Sequence, residues 1–183
     1  MQNKAIGLVE LNSIAAGFDV TDSMMKTADV EVVLSRTICS GKYMIIVGGE
    51  VSAVRASVQA GAERWPGTVI DQMVIANVHE SLFPAIGGSN VIDELQSLGV
   101  IESFSVASLI EAADAAAKAA NVQLIEVRLA MALGGKAFVT LTGDVSSVRA
   151  AVEAGEAVVA AKGLLVASTV IPAPSKGLYR NVI

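Results

Sequence analysis

The chain has 183 residues, a single cysteine, a single histidine and a formal net charge of −5. Its hydrophobic fraction is 53% and its mean hydropathy +0.60, with only 4% aromatic residues. The acidic balance excludes the clustered basic footprint of a nucleic-acid binder, one cysteine excludes an internal disulfide and fits a reducing compartment, and every apolar stretch is broken before the roughly 18 positions a spanning helix needs.

The opening, MQNKAIGLVEL, has neither a basic n-region nor a continuous apolar h-region, so no secretory leader is expected. Ala5–Leu11 is a short apolar run that predicts a strand. Ser13 is placed to cap the helix that follows, in which Ile14, Phe18, Met25 and Ala28 fall near helical spacing on one face. Val30–Arg36, rich in β-branched residues, predicts a second strand. Gly41-Lys42 marks the entry to a third, Tyr43–Val47, and Gly48-Gly49 ends it. Glu50 puts negative charge at the start of a second helix, where the macrodipole favours it; Val51, Val54 and Val58 lie on that helix. A last apolar strand, Val69–Asn77, completes the set. Phe83–Leu98 contains Pro84 and Gly87-Gly88-Ser89-Asn90, which predicts a turn-rich linker followed by a short helix.

After the linker the pattern starts again. Residues 41–61 read GKYMIIVGGEVSAVRASVQAG and residues 135–155 read GKAFVTLTGDVSSVRAAVEAG. A shift of 92 carries Gly7 onto Gly99, Glu10 onto Glu102, Lys26 onto Lys118, Val30 onto Val122 and Arg36 onto Arg128; from Gly41 onto Gly135 the shift is 94. In the second copy Val106, Ile110, Ala113, Ala117 and Ala120 repeat the first helical stripe. Val122–Arg128, Ala137–Leu141 and Leu164–Ile171 repeat the strands, and Asp144 opens the helix of Val145, Val148 and Val152. Each copy reads β-α-β-β-α-β, the ferredoxin-like arrangement. The period is too long for a solenoid, so the chain is expected to hold two tandem α+β domains, at residues 1–88 and 89–183. The excess of small aliphatic residues leaves more apolar surface than a small monomer hides, which implies burial between subunits. Two similar surfaces in one chain suit a pseudo-symmetric ring.

Three strings carry a family resemblance: AIGLVELNSIAAGFDVTDSMMKTADVEV, the turn RTICSGK, and GGEVSAVRASVQAG. They resemble the bacterial microcompartment shell domain, and GVIESFSVASLIEAADAAAKAANVQL, GGKAFVTLTGDVSSVRAAVEAG and VIPAP repeat the pattern. The tandem pair is similar to the trimeric, pseudo-hexameric class of these proteins, above all to the iron–sulfur shell proteins of propanediol-utilisation microcompartments. The resemblance implies a structural tile rather than an enzyme, in the shell of a cytoplasmic microcompartment. Its partners would be itself as a homotrimer, other shell proteins and encapsulated redox enzymes, with neither nucleic acid nor membrane. The family's edge lysine, in the pattern D-x-M-x-K-x-A, maps onto Lys26 and, more loosely, onto Lys118. Its edge Arg-Pro-His maps onto Asn77-Val78-His79 and Pro172-Ala173-Pro174, so only His79 is kept and the arginine is missing.

The resemblance also places Cys39 at the pore, in the loop of Thr37, Ile38, Ser40 and Gly41. The alternative is a small buried hydrophobe, but Cys39 stands beside a Ser-Gly-Lys turn and the second copy has Met131 in its place. One cysteine cannot make a four-cysteine site. Around a threefold axis three chains supply three thiolates, which suits three irons of a 4Fe–4S cluster, and the resemblance implies one such cluster per trimer. A metal-free metabolite pore is the alternative occupant of the axis. From a different class, a small-molecule-binding regulator also uses duplicated ferredoxin-like domains. Lys42 and Lys136, at strand starts, are expected to be solvated charges. His79 lacks the nucleophile or orienting acid a general base needs, Asp19, Asp22 and Asp29 lack the glycine and terminal Glu of a calcium loop, and no glycine pair has a phosphate-loop ending.

Overall fold

A computed structural model describes residues 4–92 and 94–178; the ends of the two expected domains, at 1–3 and 179–183, lie outside them. Every residue of the first apolar run is buried in strand β1, Ala5–Leu11. The polar Ser13 then ends the extended backbone and caps α1, Ile14–Thr27, its hydroxyl accepting from the Ala16 N–H, a cap contributing about 1 kcal/mol. β2 (Glu31–Ile38) and β3 (Lys42–Gly49) form a hairpin, α2 runs from Val51 to Arg64, and a 3-10 turn at Pro66–Thr68 leads into β4, Val69–Ala76. The sheet order is β2-β3-β1-β4, all neighbours antiparallel, as the ferredoxin-like reading requires.

The second unit repeats this with β5 (Ser97–Ser103), α4 (Val106–Ala119), β6 (Gln123–Leu129), β7 (Ala137–Gly143), α5 (Val145–Ala161) and β8 (Leu165–Ile171), in the order β6-β7-β5-β8. Ser105 caps α4 through the Ser108 N–H, as Ser13 caps α1. Asp144 caps α5: its carboxylate accepts from the Ser146 and Ser147 hydroxyls and from the Ser147 N–H, and these bonds hold its pKa well below the usual carboxylate range. Glu50, at the equivalent place before α2, makes no such cap; its partner is the Lys4 ammonium.

Each sheet packs its helices on one face. In the first unit Val9, Val20, Met24, Tyr43, Ile45, Val54 and Val58 form the core between sheet and helices. α1 lies so close to β3 that a Cβ on Gly17 would stand 2.2 Å from Cγ of Tyr43, so only glycine fits there. Tyr43 extends beyond this contact: Ser35 Oγ bridges its hydroxyl and that of Thr21.

Two features differ from the sequence reading. The compact units divide at Val78/His79, N-terminal to the expected 88/89. The cause is a short helix, α3 (Leu82–Gly87), whose Leu82, Ala85 and Ile86 are buried and which packs on β6 and α4. This helix precedes the Gly87-Gly88-Ser89-Asn90 turn instead of following it. Pro84 is tolerated in its first turn, where no intrahelical N–H bond is lost, and Gly88 ends it in the left-handed region at φ 65°.

Candidate functional site

The β2–β3 hairpin carries the single cysteine at its tip. Ile38 and Lys42 are the last paired residues, and Cys39-Ser40-Gly41 make the turn between them. Ser40 (φ 65°) and Gly41 (φ 71°) both occupy the left-handed region that a tight hairpin turn demands. Cys39 is half-buried, Thr37, Ser40 and Gly41 are exposed, and Ile38 is buried. Nothing lies within 4 Å of where a Cβ on Gly41 would point. Cys39 thus stands in a turn, as the Ser-Gly-Lys context predicts. The corresponding loop of the second unit runs from Ala130 to Lys136 and turns through Ala130, Ala132, Gly134 and Gly135 at positive φ. Met131 is exposed on it. The two copies therefore share a framework and differ at the hairpin tip.

The root of the hairpin holds a pairing that the sequence reading missed. Lys42 is not a solvated charge: its ammonium donates to Glu10 at 2.9 Å, and the Glu10 side chain, in the middle of the sheet, is 5% exposed. Lys136 makes the same bond to Glu102 at 2.5 Å in the second unit. The signal was present, because an acid in an apolar strand recurs as Glu10 and Glu102. A buried carboxylate without its cation is expensive. We therefore expect Lys42→Met to lower the unfolding free energy by about 3 kcal/mol, with a milder loss for Glu10→Gln, which removes the charge and keeps the shape. Urea denaturation of both variants checks this.

The two candidate edge lysines stand differently. Lys26 pairs with Asp22 one helical turn away, at 2.6 Å, and the side chains are 74% and 59% exposed. Lys118 pairs with Asp114 at 2.5 Å, but Asp114 is only 8% exposed. The third candidate, His79, folds back on its own turn: Nδ1 accepts from the Ser81 N–H and lies 2.7 Å from Ser81 Oγ. Among the described residues no group of three or more His, Cys, Asp and Glu side chains could hold a metal ion. No described helix is long and apolar enough to cross a membrane.

The apolar stripe of α1 faces out. Ile14, Phe18 and Met25 are 41%, 65% and 54% exposed, while the core side is Ala16, Gly17, Val20 and Met24. On α4 the equivalent Val106, Ile110 and Ala117 are buried. Beside the α1 stripe, Asp19 receives the Arg64 guanidinium and the Trp65 indole N–H, which hold its carboxyl down at about 2.

The model of the BMC domain matches this chain twice, at residues 5–78 and 97–174. The bacterial microcompartment shell protein PduT of Citrobacter freundii is 41% identical over 181 residues, 99% of this chain and 98% of that protein. The crystal structure of a microcompartment protein from Desulfitobacterium hafniense superposes with a TM-score of 0.93 at 45% identity, covering 96% of this chain and 98% of the other. A fused permuted hexameric shell protein of the RMM microcompartment shares the fold at 22% identity, with a TM-score of 0.61 over 85% of this chain and 81% of its own.

Proposed function

Since the chain belongs to the BMC-domain family and is a structural protein of a microcompartment shell, we propose that it works as a homotrimeric tile whose axis carries one 4Fe–4S cluster. The observation that carries the trimer is the contrast between α1 and α4. Two copies of one helix share the apolar positions, but the larger stripe of Ile14, Phe18 and Met25 is exposed while Val106, Ile110 and Ala117 are covered. An exposed stripe of Ile14, Phe18 and Met25 beside Trp65 is the surface a ring of identical chains would bury. Light scattering coupled to size exclusion should give three chains per particle; a monomer or dimer at micromolar concentration would sink the proposal.

The hairpin supports the second part. A cluster needs soft thiolate ligands, and one chain offers one. Three chains around an axis offer three Cys39 side chains, each on an open turn flanked by Thr37, Ile38, Ser40 and Gly41. The donor set thus fits a cluster shared between chains and does not fit one held within a chain. Bound there, the cluster would supply reversible one-electron transfer across the shell, in the service of redox enzymes enclosed by it. The hairpin would hold the thiol in place, and the Glu10–Lys42 pair would fix the hairpin to the sheet. Lys26, Lys118 and His79 lie on or beside the helices that would meet other shell proteins, as in the propanediol-utilisation type of shell.

A further inference from the structure

We infer that the C-terminal segment from Ser175 onward is a second copy of α3, and that it fastens each chain to strand β2 of the next chain around the ring. This rests on the tile reading proposed above.

The repeat continues past the last strand of each sheet. Leu8 and Val100 are equivalent; Leu8 lies opposite Met73 and Val100 opposite Thr169, so a shift of 96 carries β4 onto β8. The same shift carries Leu82 onto Leu178, Phe83 onto Tyr179 and Ile86 onto Val182. The backbone agrees where it can be compared. The Leu82 N–H donates to the His79 carbonyl at 3.1 Å, and the Leu178 N–H donates to the Ser175 carbonyl at 3.0 Å. Helical backbone begins at Lys176.

What such a segment does is visible in α3. It comes after the last strand of the first unit, yet it packs on β6 and α4 of the second, the unit that follows it. Leu82 is fully buried there. Asn90, just past the helix, donates its side-chain amide to the Leu124 carbonyl of β6 at 2.7 Å. Leu124 and Ile125 are buried, whereas their counterparts on β2, Val32 and Val33, are only half-buried. Val33 and Ile125 are the bulge residues of their strands, so the two positions correspond in structure as well as in sequence. β2 is an edge strand bearing Val32-Val33-Leu34, the kind of edge that proteins cover. Leu178 rests on the cluster of Ile92, Leu98 and Ile125 and is half-buried, where Leu82 is fully buried. If the copy after β8 also serves the unit that follows it, that unit is the first unit of the next chain in the ring. The contact is heterologous, head to tail, which is the kind that closes a ring. It is continuous with the subunit contact proposed above, because β2 packs against α1.

The test introduces Val33→Cys and Val182→Cys together into Cys39→Ser protein and couples the thiols with a short bismaleimide. Denaturing electrophoresis should show three linked chains, a species that neither cysteine alone can give. In parallel, Tyr179→Asp/Val182→Asp in the otherwise unchanged chain should raise the concentration at which the trimer dissociates about tenfold or more, as expected for loss of one or two buried apolar side chains at each contact. Coupling confined to single chains, no coupling in a protein that light scattering finds trimeric, or an unchanged dissociation concentration for Tyr179→Asp/Val182→Asp would overturn the inference and leave the tile standing. A monomeric unchanged protein would overturn both.

Discussion

Cys39→Ser protein, reconstituted anaerobically with ferrous iron and sulfide, is expected to acquire no iron–sulfur chromophore, whereas the unchanged chain should take up about four irons and four sulfides per three chains. The expectation rests on counting. Each chain has one thiol, at the tip of a hairpin, and no described set of other ligands near enough to replace it. Serine keeps the size of the side chain and removes the soft ligand. The turn itself is set by Ser40 and Gly41, which the substitution leaves alone. The variant should therefore remain a trimer with a melting temperature within about 1–2 °C of the unchanged protein, as a surface-turn change costs at most about 0.5 kcal/mol. Iron and sulfide retained in Cys39→Ser would remove the cluster from the hairpin. A trimer that takes up no iron in either form would leave a metal-free pore.

Phe18→Asp should convert the trimer into monomers. Phe18 is 65% exposed in the single chain, with its ring centroid 5.2 Å from that of Tyr43. The fold has little invested in it, so the far-ultraviolet circular dichroism of the variant should match that of the unchanged protein. At a subunit contact the change removes about 1.5–3 kcal/mol of apolar burial and brings in a carboxylate that must be desolvated. Every 1.4 kcal/mol is about a tenfold loss of association constant at each contact. Three such contacts close a ring, and each is weakened equally. Light scattering on the purified variant decides the matter: a mass of three chains would show that α1 is not at the subunit contact.

Much of the fold was legible in the sequence because the chain states it twice. Strand and helix order, the caps at Ser13 and Ser105, and the turn at Cys39 depend on residues close together in the chain, and local chemistry decides them. What local chemistry cannot decide is which side of an element is covered. Ile14, Phe18 and Met25 share a helical face, yet periodicity is the same for a stripe turned inward and one turned outward. The Glu10–Lys42 pair spans 32 positions and exists only because of the register of β1 on β3, which sets Glu10 opposite Met44 beside the hairpin root. The short helix at Leu82–Gly87 was hidden by its proline, which reads as a turn until one sees that it falls in the first helical turn. The motif fits Lys26 better than Lys118, but it says nothing of what their aspartates hold. They part only when Asp114 is seen to hold the His79 backbone.

The unlike tips of the two hairpins, Cys39 in a three-residue turn and Met131 in a longer loop, have a consequence for how such a protein can change. In a ring of six identical single-domain chains, any substitution is written six times around the centre at once. A new side chain there must be tolerable in sixfold dose, and its chemistry comes in sixes. Once two copies share a chain, each position is inherited separately and a ring of three repeats it only three times. A thiol can then be introduced at alternate places while the intervening loops keep their thioether. Duplication halves the stoichiometry available to a mutation, and a centre that needs three equivalent donors becomes reachable by a change in one half of the gene alone.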